Sequence, residues 1–296
     1  RRGMAMQDVL SFSGVDFRYE PSKPPVLRNF DFELRPGEVT LLAAPNGTGK
    51  STALWLAAGL VAPNRGEVRL LGQDPFEQRD VLGRVGFLAE GAPLPDGWTG
   101  RQVLAFQRDT FPQWDDAECE RLVAEFGLDL SQRVKSLSRG QRGKLGLVTV
   151  LSTKPEVLLL DEPTLGLDVA TRRHLLSEIL GRVAEHGCSI LIAGHEIGEA
   201  EAAADRFVLV SDGKVVCNEL VSDLLERHRI LEWDSPTPPP PEALDLMHLP
   251  GPLGRRALAH SWDESLANLW LERGGRAGPA DLETIYLSLT GGLHHA

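Results

Sequence analysis

The sequence predicts an α/β fold built on a mainly parallel core sheet, and three observations carry that prediction. The first is the stretch 39–52, VTLLAAPNGTGKST, in which an uncharged apolar run stops at Pro45 and a glycine loop leads into an apolar helical run over 53–60. The second is the recurrence of short buried-strand segments, the fully apolar 157–160 and the uncharged 189–193, alternating with helix-length segments. Strands covered on both faces read this way. The third is the pair Asp161 and Glu162, set where the segment 157–160 ends. Such sheets bind ligands at the carboxyl ends of their strands, so these acids stand where chemistry is expected.

A strand, a glycine loop and a helix in that order make a phosphate cradle. Backbone N–H groups of the loop and helix start point inward, with the positive end of the helix dipole behind them. Asn46, Gly47, Thr48, Gly49, Lys50, Ser51 and Thr52 follow the pattern G-x-x-x-x-G-K-[ST], with Ala44 in place of its first glycine. Alanine keeps that position small, and the cradle is expected to survive. Lys50 is expected to reach the β- and γ-phosphates, and the Ser51 hydroxyl to ligand Mg²⁺.

Length and composition set the frame. At 296 residues, 42% hydrophobic and 25% charged, the chain reads as a globular protein of about two domains. Its apolar run over 53–63 falls far short of the roughly 18–20 residues that span a bilayer. The start, RRGMAMQD, has two arginines but no apolar run behind them, which argues against a signal peptide, and residues 1–3 are left outside the fold. A net charge of −11 argues against a bulk electrostatic grip on nucleic acid, so no such partner is expected. Cys119, Cys188 and Cys217 are odd in number and widely spaced, the pattern of reduced cytosolic thiols. His294 and His295 read as a solvated tail.

In chain order, 9–12, 15–19 and 30–34 read as short strands separated by Pro21, Pro24 and Pro25. Tyr19 ends the second as sheet core or as a flat surface for a nucleotide base. Segments 67–71 and 85–88 read as further strands. A helix is predicted over 99–110, and Asp115 or Asp116 can cap the next one. There Cys119, Leu122, Val123 and Phe126 share one face and Gly127 is a natural stop. LSRGQ at 137–141 opens a helix to about Leu151, 165–168 is a turn, 170–186 a helix and 206–217 a hairpin. Pro236 and the run 238–241 mark a linker. Beyond it only two helices are predicted, the better over 281–290 with Leu282, Ile285, Tyr286 and Leu289 as its apolar stripe.

The acids at the strand end suit phosphate cleavage. Asp161 can hold Mg²⁺ opposite Ser51, while Glu162 is placed to orient or deprotonate an attacking water.

These pieces resemble the ATP-binding subunit of ABC transporters over roughly 8–226. APNGTGKST is similar to its Walker A loop, LSRGQ to its signature motif, and LLLDEP at 158–163 to Walker B with the catalytic glutamate. GLD at 166–168 matches the D-loop, and His195 falls at the switch histidine. The resemblance implies a P-loop NTPase cassette at 8–226 with an N-terminal antiparallel β subdomain and a helical subdomain at about 91–143. A C-terminal extension at 227–296 then follows around the proline-rich linker. It also implies that Tyr19 stacks on adenine, that His195 contacts the γ-phosphate beside the lytic water, and that ATP and Mg²⁺ are bound. Ser138, Gly140 and Gln141 of the signature, with Asp168 of the D-loop, then meet ATP held by a second cassette in a head-to-tail dimer. The same resemblance implies separate transmembrane permease subunits and a place at the cytoplasmic face of the cell membrane.

Two positions depart from the family pattern. Arg139 stands where glycine is commoner, between the intact Ser138 and Gly140, and is expected to point away from ATP. Glu90 ends VGFLAE where the family usually has the Q-loop glutamine. A carboxylate there can still ligand hydrated Mg²⁺, but it adds negative charge near the phosphates. A glutamate at that point, together with APLPDGWTGRQVL, FPQWD and the terminal DLETIYLSLT, resembles the branch exporting drugs, antibiotics and peptides. The leading expectation is the energy-coupling ATPase of an exporter. The alternative is a soluble ABC ATPase acting on ribosomes or DNA, whose relatives usually carry two cassettes or long coiled coils. A nucleotide binder without turnover is disfavoured, because Lys50, Asp161, Glu162 and His195 are all present.

Overall fold

The computed structural model describes residues 8–45, 47–76, 78–194, 197–234, 246–248, 256–262, 264–272 and 274–291. The proline run 236–241 and the terminal histidines lie outside these residues. The chain divides into two compact units, Arg1–Glu196 with Val208–Cys217, and Ile197–Phe207 with Asn218–Ala296. The second unit therefore takes in segments upstream of the expected extension 227–296. No helix among the described residues is long and apolar enough to cross a membrane.

In the first unit, apolar alternation builds an antiparallel sheet from β1 (Leu10–Phe17) and β2 (Leu27–Leu34). Phe12 faces Phe32 across the pair, and Phe30 joins them with its ring 5.3 Å from Phe12. Each ring buried in this way contributes about 1.5–3 kcal/mol. Where two strands were expected at 9–12 and 15–19, there is one strand with a bulge between Phe12 and Val15. The next elements are β3 (Val39–Ala43), α1 (Lys50–Ala57), β4 (Arg65–Leu70), α2 (Arg79–Leu82) and β5 (Val85–Leu88). β4 joins the other edge of β1, giving the order β2-β1-β4.

The helical subdomain comprises α3 (Gly100–Thr110) and α4 (Asp116–Glu125), followed by α5 (Arg139–Leu151). Thr99 caps α3 in a reciprocal box with Gln102, and Asp115 caps α4, accepting the Glu118 amide at 3.0 Å. Cys119, Leu122 and Phe126 are buried as their spacing predicts. The chain continues through β6 (Val157–Asp161), α6 (Val169–His186), β7 (Ser189–Gly194), α7 (Ile197–Ala200), β8 (Arg206–Ser211) and β9 (Lys214–Leu220). The core sheet has the order β5-β6-β7-β3-β8-β9, with β5, β6, β7 and β3 parallel. Every residue of β3, β6 and β7 is buried, which explains their predominantly apolar sequences, uncharged until Asp161 at the end of β6.

Register positions the site. Ala43 pairs with Gly194, and Asp161 with Ala193, so β3, β7 and β6 end together at one edge. One strand separates β3 from β6, which puts the glycine loop and the acids about 10 Å apart at the strand ends.

The second unit holds α8 (Val221–Arg227), β10 (Arg229–Trp233), β11 (Leu246–His248), β12 (Arg256–Ala259), α9 (Glu264–Glu272), β13 (Gly275–Pro279) and α10 (Leu282–Leu289). Its sheet runs β11-β12-β10-β13, with all pairs antiparallel. Trp233 and Trp270 meet edge to face at 5.9 Å over Leu231, Ala257 and Ala259. Beyond the proline linker the sequence predicted only two helices, and it assigned no element to the stretch that forms β10. α10 begins as expected, capped by Asp281, but Leu289 of the predicted stripe is exposed and Ser288 is buried instead. The contact face thus passes through 282, 285 and 288, an i, i+3, i+6 line.

Candidate active site

The loop after β3 folds around its own backbone. The Thr48 hydroxyl donates to the Pro45 carbonyl at 2.6 Å, and Gly47 and Gly49 take φ values of +79° and +113°. A Cβ at Gly49 would lie 2.7 Å from Leu27 Cδ2, so only glycine lets the loop press against β2 before turning into α1. α1 has no side-chain cap and no acid in its first turn, leaving its leading N–H groups for an anion. Lys50 opens this helix and lies back across the loop, its Nζ donating to the Ala44 carbonyl at 2.7 Å. It is only 8% exposed. Burial pulls the Lys50 ammonium below its ordinary range, against the charges of Glu162, Asp161 and Glu90.

Asp161 ends β6 at 2% exposure. Burial pushes its carboxyl up; the hydrogen bond from Ser51 opposes this, and the Glu162 and Glu90 charges add to the rise. Asp161 Oδ1 has no hydrogen-bond partner among the described residues. Glu162 follows in a left-handed conformation, φ +49°, fixed by its N–H donating to the Ala193 carbonyl at 2.8 Å. That backbone turn, costly for a non-glycine residue, aims the side chain away from the line of β6. Glu90 stands just past β5 and is exposed.

A cleft of about 500 Å³ brings these groups together. Lys50, Ser51, Asp161, Glu162 and Glu90 all line it, with Gly47, Gly49 and Thr52 on the loop side and Tyr19 at the rim. Tyr19 lies beyond the end of β1 and is 52% exposed. Its hydroxyl shares a hydrogen bond with Thr52 Oγ1 at 2.8 Å, and its ring stands edge to face with Phe17 and Trp55. The ring is thereby held from behind while half its surface stays open, as stacking on a base requires. Val26 and Leu165 also line the cleft, and Trp55 backs Tyr19. The sequence reading named none of the three, because an apolar wall residue carries no motif.

The donors suit magnesium. Ser51, Asp161 and Glu90 offer only oxygen, which hard divalent cations prefer, and the unpartnered Asp161 Oδ1 is the kind of buried atom such an ion satisfies. The residues present therefore fit both a nucleotide phosphate chain and Mg²⁺.

Four other expected contacts lie elsewhere. Ser138 caps α5, its hydroxyl accepting the Gln141 amide at 3.2 Å while Gln141 Oε1 accepts the Ser138 N–H at 2.9 Å. Asp168 caps α6 through Thr171 N and Oγ1 at 2.9 and 2.8 Å, bonds that hold its carboxyl below the ordinary range. A Cβ at Gly140 would lie 2.8 Å from the Gly166 carbonyl, so the signature helix start and the D-loop turn pack backbone to backbone. Arg139 lays its stem along Gly166. Ser138, Gly140, Gln141 and Asp168 do not line the cleft that holds Lys50. Asn46 and His195 lie outside the described residues.

Comparison with known proteins places this arrangement. The family model for the ABC transporter matches residues 27–165. A putative ABC transporter ATP-binding protein of Streptomyces coelicolor is 35% identical over 205 residues, which cover 67% of this chain and 36% of that protein. Nod factor export ATP-binding protein I of Burkholderia thailandensis is 31% identical over 301 residues, covering 95% of this chain and 97% of that one. The chain thus spans about a third of the Streptomyces relative and nearly all of the Burkholderia one. A solved dimeric ATP-binding cassette bound to ADP and Pi shares the fold, with a TM-score of 0.64 at 20% identity, covering 72% of this chain and 98% of that chain. The chain belongs to the family of ABC transporter ATP-binding proteins, and its fold is that of an ABC ATPase cassette.

Proposed function

We propose that this chain hydrolyses ATP to drive an exporter, working as one of two cassettes that close head to tail on the nucleotide. The observation that carries the reading is the single cleft shared by Lys50, Ser51, Asp161 and Glu162. Lys50 and the uncapped start of α1 bind the phosphate chain. Mg²⁺, when bound, neutralises charge that builds on the transferred phosphoryl group. Ser51 and Asp161 hold that ion, with Glu90 as a further ligand, and Tyr19 stacks on the base. Glu162 takes the proton from the attacking water, and His195 orients that water's surroundings.

Ser138, Gly140, Gln141 and Asp168 lie apart from the cleft of their own chain, which supports their facing ATP held by the second cassette. An apolar groove of about 340 Å³, lined by Leu60, Leu82, Phe87, Pro93, Phe111 and Val150, adjoins the segment leading to Glu90. It suits a segment of a permease subunit, which holds the cassette at the cytoplasmic face. Export is favoured by the likeness to a Nod factor export protein along nearly the whole chain.

The test is Glu162→Gln. Without its base the variant binds ATP and elutes as a stable ATP-dependent dimer with turnover reduced about 100-fold or more. Undiminished turnover would remove Glu162 from the mechanism. A variant that binds ATP and remains monomeric would remove the closing dimer.

A further inference from the structure

Among the described residues lining the cleft, three carboxylates, Asp161, Glu162 and Glu90, stand with one cation, Lys50. With all four ionised, these groups carry a formal charge of −2. The other described lining residues are uncharged: Tyr19, Val26, Gly47, Gly49, Ser51, Thr52 and Leu165. Glutamine at position 90 would leave −1. The Lys50 ammonium is already engaged with the Ala44 carbonyl. Asp161 is buried, lines the cleft and leaves Oδ1 without a partner among the described residues. Glu90 lines the same cleft from the segment after β5 and is itself exposed, whereas Asp161 is fixed in a buried strand.

We propose that this cleft takes up a divalent cation before any nucleotide arrives, held by Asp161, Glu90 and the Ser51 hydroxyl. The inference rests on the nucleotide-binding reading of the site and adds an order to it. A hard dication matches the excess charge in sign and size and satisfies the orphaned oxygen. A triphosphate entering the empty cleft meets two uncompensated negative charges. Once the ion is seated those charges are neutralised, and the phosphates gain a ligand in place of a repulsion. Glu90 therefore converts metal binding that would accompany the nucleotide into metal binding that precedes it.

The experiment titrates Mn²⁺ into the metal-stripped, nucleotide-free protein, following free Mn²⁺ by electron paramagnetic resonance, with Mg²⁺ as competitor. The expected result is one site, displaced by Mg²⁺, whose dissociation constant rises about tenfold or more in Glu90→Gln. Asp161→Asn is expected to remove the site altogether. Because Glu90 is exposed, its variant is expected to keep the parent's thermal midpoint, which is measured alongside. No Mn²⁺ uptake without nucleotide, or the same dissociation constant in Glu90→Gln, overturns the proposal. Binding of a fluorescent ATP analogue with Mg²⁺ is read on the same samples. If the analogue binds while Mn²⁺ alone does not, only the order is wrong; if neither binds, the nucleotide site itself is wrong.

Discussion

Lys50 is the one cation among the described residues lining the cleft, and burial already weakens its hold on a proton. Both facts make it hard to replace. Lys50→Ala removes charge-assisted bonds to the phosphates, each worth about 1.5–3 kcal/mol, and leaves three acids facing them unopposed. Nucleotide affinity is expected to fall about 30-fold or more, measured with a fluorescent ATP analogue. Affinity within twofold of the parent would contradict the cradle. Lys50, Ser51, Asp161 and Glu162 were legible in the sequence because their chemistry depends on residue type and spacing. The backbone strain at Glu162, φ +49°, was not, since it arises from the hydrogen bond to Ala193 in a strand more than thirty residues away. Cys188, whose thiol burial pushes up to about 12, behaves as an apolar core residue, as the reduced-thiol reading implies.

Between residue and molecule stand the elements, and here local signals proved sufficient wherever the deciding contacts were local. Asp115 caps the helix that its position announces, while Thr99 and Ser138 prove to be the caps of helices whose starts were expected there. The capping box formed by Ser138 and Gln141 explains why the signature segment can present an ordered helix start to solvent. The glycine loop is different, because its shape depends on β2. Gly49→Ala sets a methyl against Leu27 and forces a residue with a Cβ to φ +113°. That substitution is expected to cost about 1–3 kcal/mol of stability and to weaken nucleotide binding. Denaturant unfolding checks the first, and a normal midpoint together with normal binding would show that Leu27 gives way. The split of β1 into two predicted strands failed for a related reason. A bulge interrupts alternation without ending the strand, and only pairing with β2 and β4 shows that the strand continues.

For the whole molecule, the division into two units separates chemistry from an appended sheet. Every residue lining the cleft lies in the first unit. The second is organised around Trp270, buried against Trp233, with its indole N–H donating to the Arg276 carbonyl at 3.0 Å. Trp270→Ala opens a cavity in that small core and is expected to cost about 3–5 kcal/mol. Amide hydrogen exchange would then rise across β10, β12 and β13, while ATP-analogue affinity stays at the parent value. Lost affinity would mean that the second unit supports the cleft.

The sequence by itself determined the cassette, the phosphate loop, the acids at the strand end and the cap of α4. Each of these is written in residues near one another in the chain, or in uninterrupted apolar runs that only a doubly covered strand explains. Tertiary structure alone decided the rest. It aligned β3, β7 and β6 so that Lys50, Asp161 and Glu162 share one cleft, and it carried Glu90 and Tyr19 to the same place. It set Ser138 and Asp168 away from that cleft, and it built the sheet β11-β12-β10-β13 where no strand was predicted. The physical reason is the same throughout. β10 pairs with β12 and β13 across about 25 to 50 residues, and pairing of that range leaves no periodicity in any one strand; GRAGP becomes β13 only because β10 offers it an edge.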